Sequence, residues 1–387
     1  MELRRREHAR SVRVSVDLGG QPSTRYERCE FTGGRDDLDD RGSRLFGGGS
    51  DDDLAAPEPP WPVDHAEIEE LLRRFAERVG GEVSLHHQVV ATGRSVSTGG
   101  GPAQRRVRTV FALTGHTVTA AGRMLPIGVS GRGDSRDVLA DGALAEALAH
   151  TRTLLATATG PLHDGPAAVL SPQAAAILVH EAVGHYAEAT HVGAPAVHRL
   201  STRIADERLS VQDGPPDQHH DDEGVVSIGP TEVLRHGVLV AQLHSRATAR
   251  ATASAPTGNA RAAQVWDPPI PRMTTLVCAA GDTPPEALVE ELGDGVYIHR
   301  LADGYRQGTS VAAQVVLGEH VERGRRTGRY FTGGQVDDRP DLFTRLVAVG
   351  DRVEVNPNAM CGKDGQLLFD VVTAAPAMRL SALRLRP

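Results

Sequence analysis

Three cysteines in 387 residues, Cys29, Cys278 and Cys361, are too few for a disulfide framework and suit a reducing, cytoplasmic setting. No stretch approaches the ~20 consecutive apolar residues that a membrane-spanning helix needs. The basic opening MELRRREHAR leads into the strand-like SVRVSVDLGG and not into the apolar run of a signal peptide. Aromatic residues make up only 4%, so the core has to be built mainly from Ala, Val and Leu, within an apolar content of 40%. An excess of positive charge is also lacking. The formal net charge is −8, which argues against nucleic acid or an anionic membrane as a partner. Lysine is scarcer still: Lys363 stands alone against 41 arginines.

The length suits two domains. In the first, 1–164, Val12, Val14, Val16 and Leu18 alternate with polar residues, as a strand does. Residues 34–61 are rich in Gly, Asp and Pro without apolar periodicity and are expected to be a loop or linker; Asp51, Asp52 and Asp53 read as a solvated acidic run. Residues 64–79 carry Ile68, Leu71, Leu72 and Phe75 on one face of an amphipathic helix. Strands are expected at 82–91, 105–113 and 117–127, and a second helix at 135–156. Interleaved helices and strands make this an α/β-type domain. From Val225 onward short strands alternate with turns, so the second domain, 165–387, is expected to be a mainly antiparallel, barrel-like sheet. The fold class as a whole is α+β.

The chemistry concentrates at 171–190, SPQAAAILVHEAVGHYAEAT. Ser171 suits a helix N-cap and Pro172 the first helical position. An apolar run, Ala174 to Val179, then continues into His180, Glu181, His185 and Glu188. A buried helix should not carry such groups without a reason. Two histidines with a glutamate beside the first are the residue types of a zinc hydrolase: neutral imidazoles hold the metal and the carboxylate serves as base toward water. The usual spacing is H-E-x-x-H, whereas this chain has H-E-x-x-x-H. On an ideal helix a five-residue spacing separates the side chains by ~140°. A π-type bulge near Gly184 would bring them together.

A third ligand is available in the loop 358–366, NAMCGKDGQ, where Cys361 lies close to the only lysine, Lys363. HEAVGHYAE together with CGKDGQ resembles the TldD/PmbA family of metallopeptidases, in its metal-bearing TldD-like branch. DDEG at 221–224, PTGN at 256–259, PRMT at 271–274 and FTGGQVD at 331–337 match in the same order, over about 165–387. The resemblance implies one Zn²⁺ per chain held by His180, His185 and Cys361, with Glu181 as the catalytic base. It also implies cleavage of unfolded or short extended peptides, including leader peptides of ribosomally made natural products. Finally, it implies a dimer, a heterodimer with a same-fold partner lacking the zinc motif or else a homodimer. Two His and one Cys leave a fourth tetrahedral position for water. Glu188, three residues after His185, is expected to orient an imidazole, with direct ligation the minor alternative. Asp222 and Glu223 are candidates to line the site or hold its loops, and Arg261 to hold a substrate carboxylate. Lys363 is a further candidate. His191, His198, His219 and His220 are irregularly spaced and are read as a polar loop. The competing reading is a non-catalytic peptide-binding or scaffolding subunit.

Overall fold

Residues 3–19, 22–38, 42–47, 55–98, 102–162, 165–189, 200–308 and 310–387 are described in the computed structural model. The period-two pattern at the start builds β1 (Leu3–Asp17), whose Val12, Val14 and Val16 are buried. β1 pairs on one side with β2 (Ser23–Leu38) and on the other with β4 (Glu82–Thr98). With β3 (Gly42–Gly47), β5 (Gln104–Val118) and β6 (Met124–Arg132) they form a six-stranded sheet in the order β3-β2-β1-β4-β5-β6. Every pairing in it is antiparallel, so it lacks the parallel unit that an α/β-type arrangement would bring. The expected loop over 34–61 is therefore partly strand, because β2 runs on to Leu38 and β3 pairs with it. Backbone pairing of this kind needs no apolar periodicity. Asp51 to Asp53 lie outside the described residues.

Helix α1 (His65–Val79) buries Ile68, Leu72, Phe75 and Val79 against this sheet, and Asp64 Oδ1 accepts from Ala66 N at 2.7 Å to cap it. The helix expected at 135–156 is broken in two, α2 (Arg136–Asp141) and α3 (Ala143–Thr157). Gly142 makes the break with φ 77°; a Cβ there would lie 2.4 Å from Arg78 Nη1.

The second sheet has twelve strands. Its middle runs Val211–Asp213, Thr275–Cys278, Val372–Leu380, β7 (Ala168–Leu170), Gly295–Gln307 and Ser310–Glu322. Most pairings are antiparallel; Thr275–Cys278 with Val372–Leu380, and β7 with Gly295–Gln307, are parallel. The expectation of a barrel-like sheet is corrected: the sheet is open, ending in the two-residue strands Val238–Leu239 and Leu385–Arg386. Strands this short give an edge too little backbone to close on. Helix α4 (Pro172–Val179) covers the sheet instead, packed on Gly295–Gln307 and Val372–Leu380.

The two sheets meet along a seam of buried charges. Arg94 on β4 lies 2.8 Å from Asp222 Oδ2, and Arg106 on β5 holds Oδ1. Arg108 on β5 and Arg132 on β6 reach Asp370 Oδ2 at 3.1 and 3.3 Å, and Arg261 holds Oδ1. Burial alone would raise both carboxyls, but the arginines outweigh it and hold each well below the ordinary range. The apolar packing crosses the same boundary, since Val316 and Leu317 join the core of α1 and the first sheet.

Candidate metal centre

Ser171 starts the motif helix: its Oγ accepts from Ala174 N at 3.1 Å and donates to His299 O at 2.8 Å. Ala174, Ala175, Ala176, Leu178 and Val179 are fully buried, and the small side chains let the helix lie close on the sheet. At His180 the helix changes to a π-helix, His180–Gly184, followed by the single turn His185–Ala187. This is the distortion that the five-residue spacing requires. The two imidazole centroids come within 4.9 Å at an interplanar angle of 86°. Gly184 belongs at its end for a packing reason as well, because a Cβ would sit 2.0 Å from Met273 Sδ. The helix stops where Glu188 becomes extended and Leu243 takes over the backbone pairing.

Cys361 comes from the hairpin Cys361–Lys363 and Gln366–Leu368. Asp364 and Gly365 turn it with φ 49° and 77°, the Asp-Gly signature of a two-residue hairpin turn. Arg272 Nη2 donates to Cys361 O at 2.5 Å and fixes its backbone. Cys361 Sγ lies 3.3 Å from His180 Nε2 and 3.5 Å from His185 Nε2, and all three donor atoms are within 4.8 Å of one another. Zinc with bonds of ~2.3 Å to sulfur and ~2.0–2.1 Å to nitrogen in tetrahedral geometry would hold an S,N pair about 3.5 Å apart. The residues fit the ion. Burial would raise the Cys361 thiol, but His180 and His185 outweigh it and pull it well below its ordinary value, toward the thiolate that binds metal.

The far side of each imidazole is also held. His180 Nδ1 lies 3.1 Å from Thr373 Oγ1. His185 Nδ1 donates to Glu188 Oε2 at 2.8 Å, which leaves Nε2 facing the sulfur. Glu188 is 3% exposed; Lys363 Nζ donates to its Oε2 at 2.5 Å and Met273 N to its Oε1 at 3.0 Å. Burial would raise its carboxyl, but His185 and Lys363 keep it far below the ordinary range. Among the described residues the cluster that could hold a metal ion is His180, His185 and Cys361, without Glu188.

Glu181 is buried, with Oε2 3.9 Å from His185 Nε2. Burial pushes its carboxyl above the ordinary value, toward the range useful to a general base. The backbone of Gly304 lies against it, where a Cβ would be 3.2 Å from Glu181 Oε1. His180 and Glu181 open on a cavity of about 400 Å³, whose other walls include Arg300, Asn356, Asn358 and the β6 residues Pro126 to Gly128.

Three sequence candidates lie elsewhere. Asp222 is committed to Arg94 and Arg106, and its Oδ2 accepts from Ala262 N at 2.8 Å. Glu223 Oε2 accepts from Arg246 N at 2.6 Å, at the start of the helix Arg246–Ala251. Arg261 is not offered to a substrate. It is buried, bonded to Asp370 and donates to Met273 O at 2.9 Å. His219 and His220 pair with Val226–Ser227 in a two-stranded ribbon, while His191 and His198 lie outside the described residues. The sequence reading missed Thr373, Gly304 and Arg300. Thr373 and Arg300 stand in ordinary strand sequence, and no local pattern marks them. Arg272 was within reach, since it belongs to the PRMT string.

Paired histidines and a glutamate on one distorted helix, closed by a distant cysteine, are the residue types that a metallohydrolase site uses. The chain belongs to the PmbA/TldA metallopeptidase family, whose C-terminal domain profile matches residues 166–386. A metalloprotease of Synechocystis sp. is 30% identical over 225 residues, 55% of this chain and 48% of that protein. A metalloprotease of Archaeoglobus fulgidus is 32% identical over 230 residues, covering 55% and 52%. A zinc metalloprotease TldD homolog of Saccharolobus solfataricus is 30% identical over 138 residues, covering 34% and 31%. The match spans about half the length of the first two relatives or less than a third of the third. Among solved structures, a putative modulator of DNA gyrase from Thermotoga maritima superposes with TM-score 0.71 at 15% identity, covering 100% of this chain and 96% of that one. TldE from Thermococcus kodakarensis gives 0.69 at 14%, covering 100% and 97%. At such identities these two establish the fold alone.

Proposed function

We propose that this chain is a zinc-dependent peptidase that cleaves unfolded or short extended peptides, leader peptides among them. The observation that carries this reading is the triad of donors, His180, His185 and Cys361, mutually within 4.8 Å beside the buried carboxylate of Glu181. One zinc per chain, held by those three residues, would supply Lewis acidity toward a carbonyl and toward water. Glu181 takes the proton from the attacking water and passes it to the leaving amine; its raised pKa suits both transfers. Glu188 holds the His185 ring through Nδ1, and Lys363 and Met273 N hold Glu188. Arg272 fixes the cysteine loop.

The outer edge of β6 at Gly128 supports the choice of an extended substrate. Ser130 N donates outward to Pro357 O at 2.9 Å, so the neighbouring Gly128 presents its backbone to the same side, in the wall of the cavity that Glu181 lines. An extended peptide would pair there as an added strand. In this reading residues 1–164 form a domain that walls the cleft and 165–387 form the peptidase domain. The protein works in the cytoplasm as a dimer with a same-fold partner, and the likeness in fold to TldE is compatible with such a pair. Among the described residues no helix is long and apolar enough to cross a membrane.

The test is cleavage of unfolded peptides by the zinc-loaded chain, alone and with a same-fold partner. Cleavage that a chelator abolishes and added zinc restores supports the reading. Peptide binding without cleavage under either condition favours the scaffolding alternative.

A further inference from the structure

Arg300 lies on the strand Gly295–Gln307, just where that strand is irregular. Val296 and Ile298 point into the core. Ile298 then pairs with Gly318, Arg300 with Leu317 and Leu301 with Val315, so the register slips twice within four residues. Such a bulge reverses the alternation of side chains. Leu301, 1% exposed, takes the core position that Arg300 would otherwise occupy, and Arg300 is turned the other way. Gln173 on α4 locks the bulge: Leu301 N donates to its Oε1 at 3.1 Å and its Nε2 donates to Leu301 O at 3.0 Å.

The guanidinium so placed is half-buried between two cavities. One is the 400 Å³ cleft of His180 and Glu181; the other, about 360 Å³, is lined by His299, Arg326 and Tyr330. Among the described residues it has no hydrogen-bond or ion-pair partner, and no carboxylate offsets the burial that lowers its pKa. The acids nearby are otherwise placed. Glu319 accepts from His299 Nε2 at 2.8 Å and from Gly328 N at 2.9 Å, Glu181 faces His185, and Asp303 is exposed. This sets Arg300 apart from Arg94 and Arg261, which are matched to carboxylates, and from Arg272, which donates to the carbonyls of Cys361 and Gln366. Withdrawing a cation from water without a counter-ion is costly, and a guanidinium is shaped to take a carboxylate through two parallel hydrogen bonds.

We infer that Arg300 is a specificity-determining residue that binds a carboxylate of the peptide substrate in the cleft beside Glu181. This rests on the peptidase reading. The carboxylate has two sources, the C-terminus of the peptide or an Asp or Glu side chain near the bond to be cut.

The experiment uses the full chain carrying Glu181→Gln, so that no peptide is consumed, and reads binding by fluorescence anisotropy. Three labelled pentapeptides are compared: neutral with a free C-terminus, the same peptide amidated, and an amidated series with one Glu moved along it. At least one carboxylate-bearing form should bind roughly tenfold more tightly than the neutral amide, as a charge-assisted hydrogen bond allows. Adding Arg300→Gln should erase the difference and Arg300→Lys should keep part of it, with thermal unfolding unchanged in both. Preference for the free C-terminus assigns the terminal carboxylate, and preference within the Glu series assigns the side chain. Equal affinity for all forms, no binding of any, or a preference that survives Arg300→Gln overturns the proposal. Cleavage by the zinc-loaded parent chain, alone and with a same-fold partner, is measured separately. Discrimination without cleavage overturns the peptidase reading and leaves Arg300 as a carboxylate site, whereas cleavage without discrimination overturns only the role of Arg300.

Discussion

Two buried clusters of ionisable groups lie close together in this molecule, and they solve the problem of buried charge in opposite ways. At the seam, Asp222 and Asp370 are each surrounded by arginines, so the charges are matched within the protein and the cluster joins two sheets. At the candidate metal centre, His180, His185 and Cys361 turn one donor atom each toward one another, all within 4.8 Å. A matched cluster is complete as folded; on the peptidase reading, converging donors would be completed by a metal cation. The two are linked through Met273, whose carbonyl accepts from Arg261 at the seam and whose N–H donates to Glu188 at the metal site. The difference explains why DDEG supplies structure: its Asp222 is consumed by Arg94 and Arg106.

Substitutions should separate the two clusters cleanly. The largest effect is expected at Glu181: Glu181→Gln should lower kcat for peptide hydrolysis by roughly 10²–10⁴-fold while metal content and unfolding stay unchanged. A loss of metal in that variant would make Glu181 a ligand and not a base. Next comes Asp370→Ala, which strips the carboxylate from Arg108, Arg132 and Arg261 and should cost about 3–5 kcal/mol in chemical denaturation, with or without chelator. If chelator alone changed stability by that much and Asp370→Ala did not, the seam would have been assigned the wrong role.

Acid should act on the same seam. Asp222 and Asp370 have folded pKa values held below the ordinary 3.8, so below about that pH the unfolded chain takes up protons that the folded chain refuses. Stability should therefore fall with decreasing pH, by up to about 1.4 kcal/mol per pH unit for each carboxylate, until the folded groups titrate. Asp370→Asn should remove one of the two contributions; an unchanged slope would contradict it. The smallest effect is at Glu188. Glu188→Gln keeps an oxygen for His185 but loses the charge that Lys363 and the imidazole share, and zinc affinity should drop roughly 10–100-fold in a competition titration.

The meeting of His180, His185 and Cys361 was more legible in the sequence than the surrounding fold. His180, Glu181 and His185 are adjacent, and their spacing conflicts with an ideal helix, so the π-helix followed from geometry alone. Cys361 could be joined to them because its loop carries its own signature, a cysteine among glycines with the only lysine. Sheet closure was not legible. Short alternating strands fit an open sheet as well as a barrel, and the end strands Val238–Leu239 and Leu385–Arg386 carry no signal of which neighbour they lack. Arg261 and Arg300 show the limit most plainly. Arg261 stands among small polar residues and Arg300 in ordinary strand sequence, yet one is held by Asp370, from more than a hundred residues away, while a bulge turns the other out of the core. Which arginine is spent and which is open depends on long-range pairing that local pattern does not encode.

The measurement that tests the account most directly is the metal content of the purified full chain after zinc is offered, by mass spectrometry, beside Cys361→Ala. The account predicts about one zinc per chain in the parent and loss of that zinc in the variant. A parent that takes up no zinc, or a variant that keeps it, would contradict a centre built jointly by the motif helix and the cysteine hairpin.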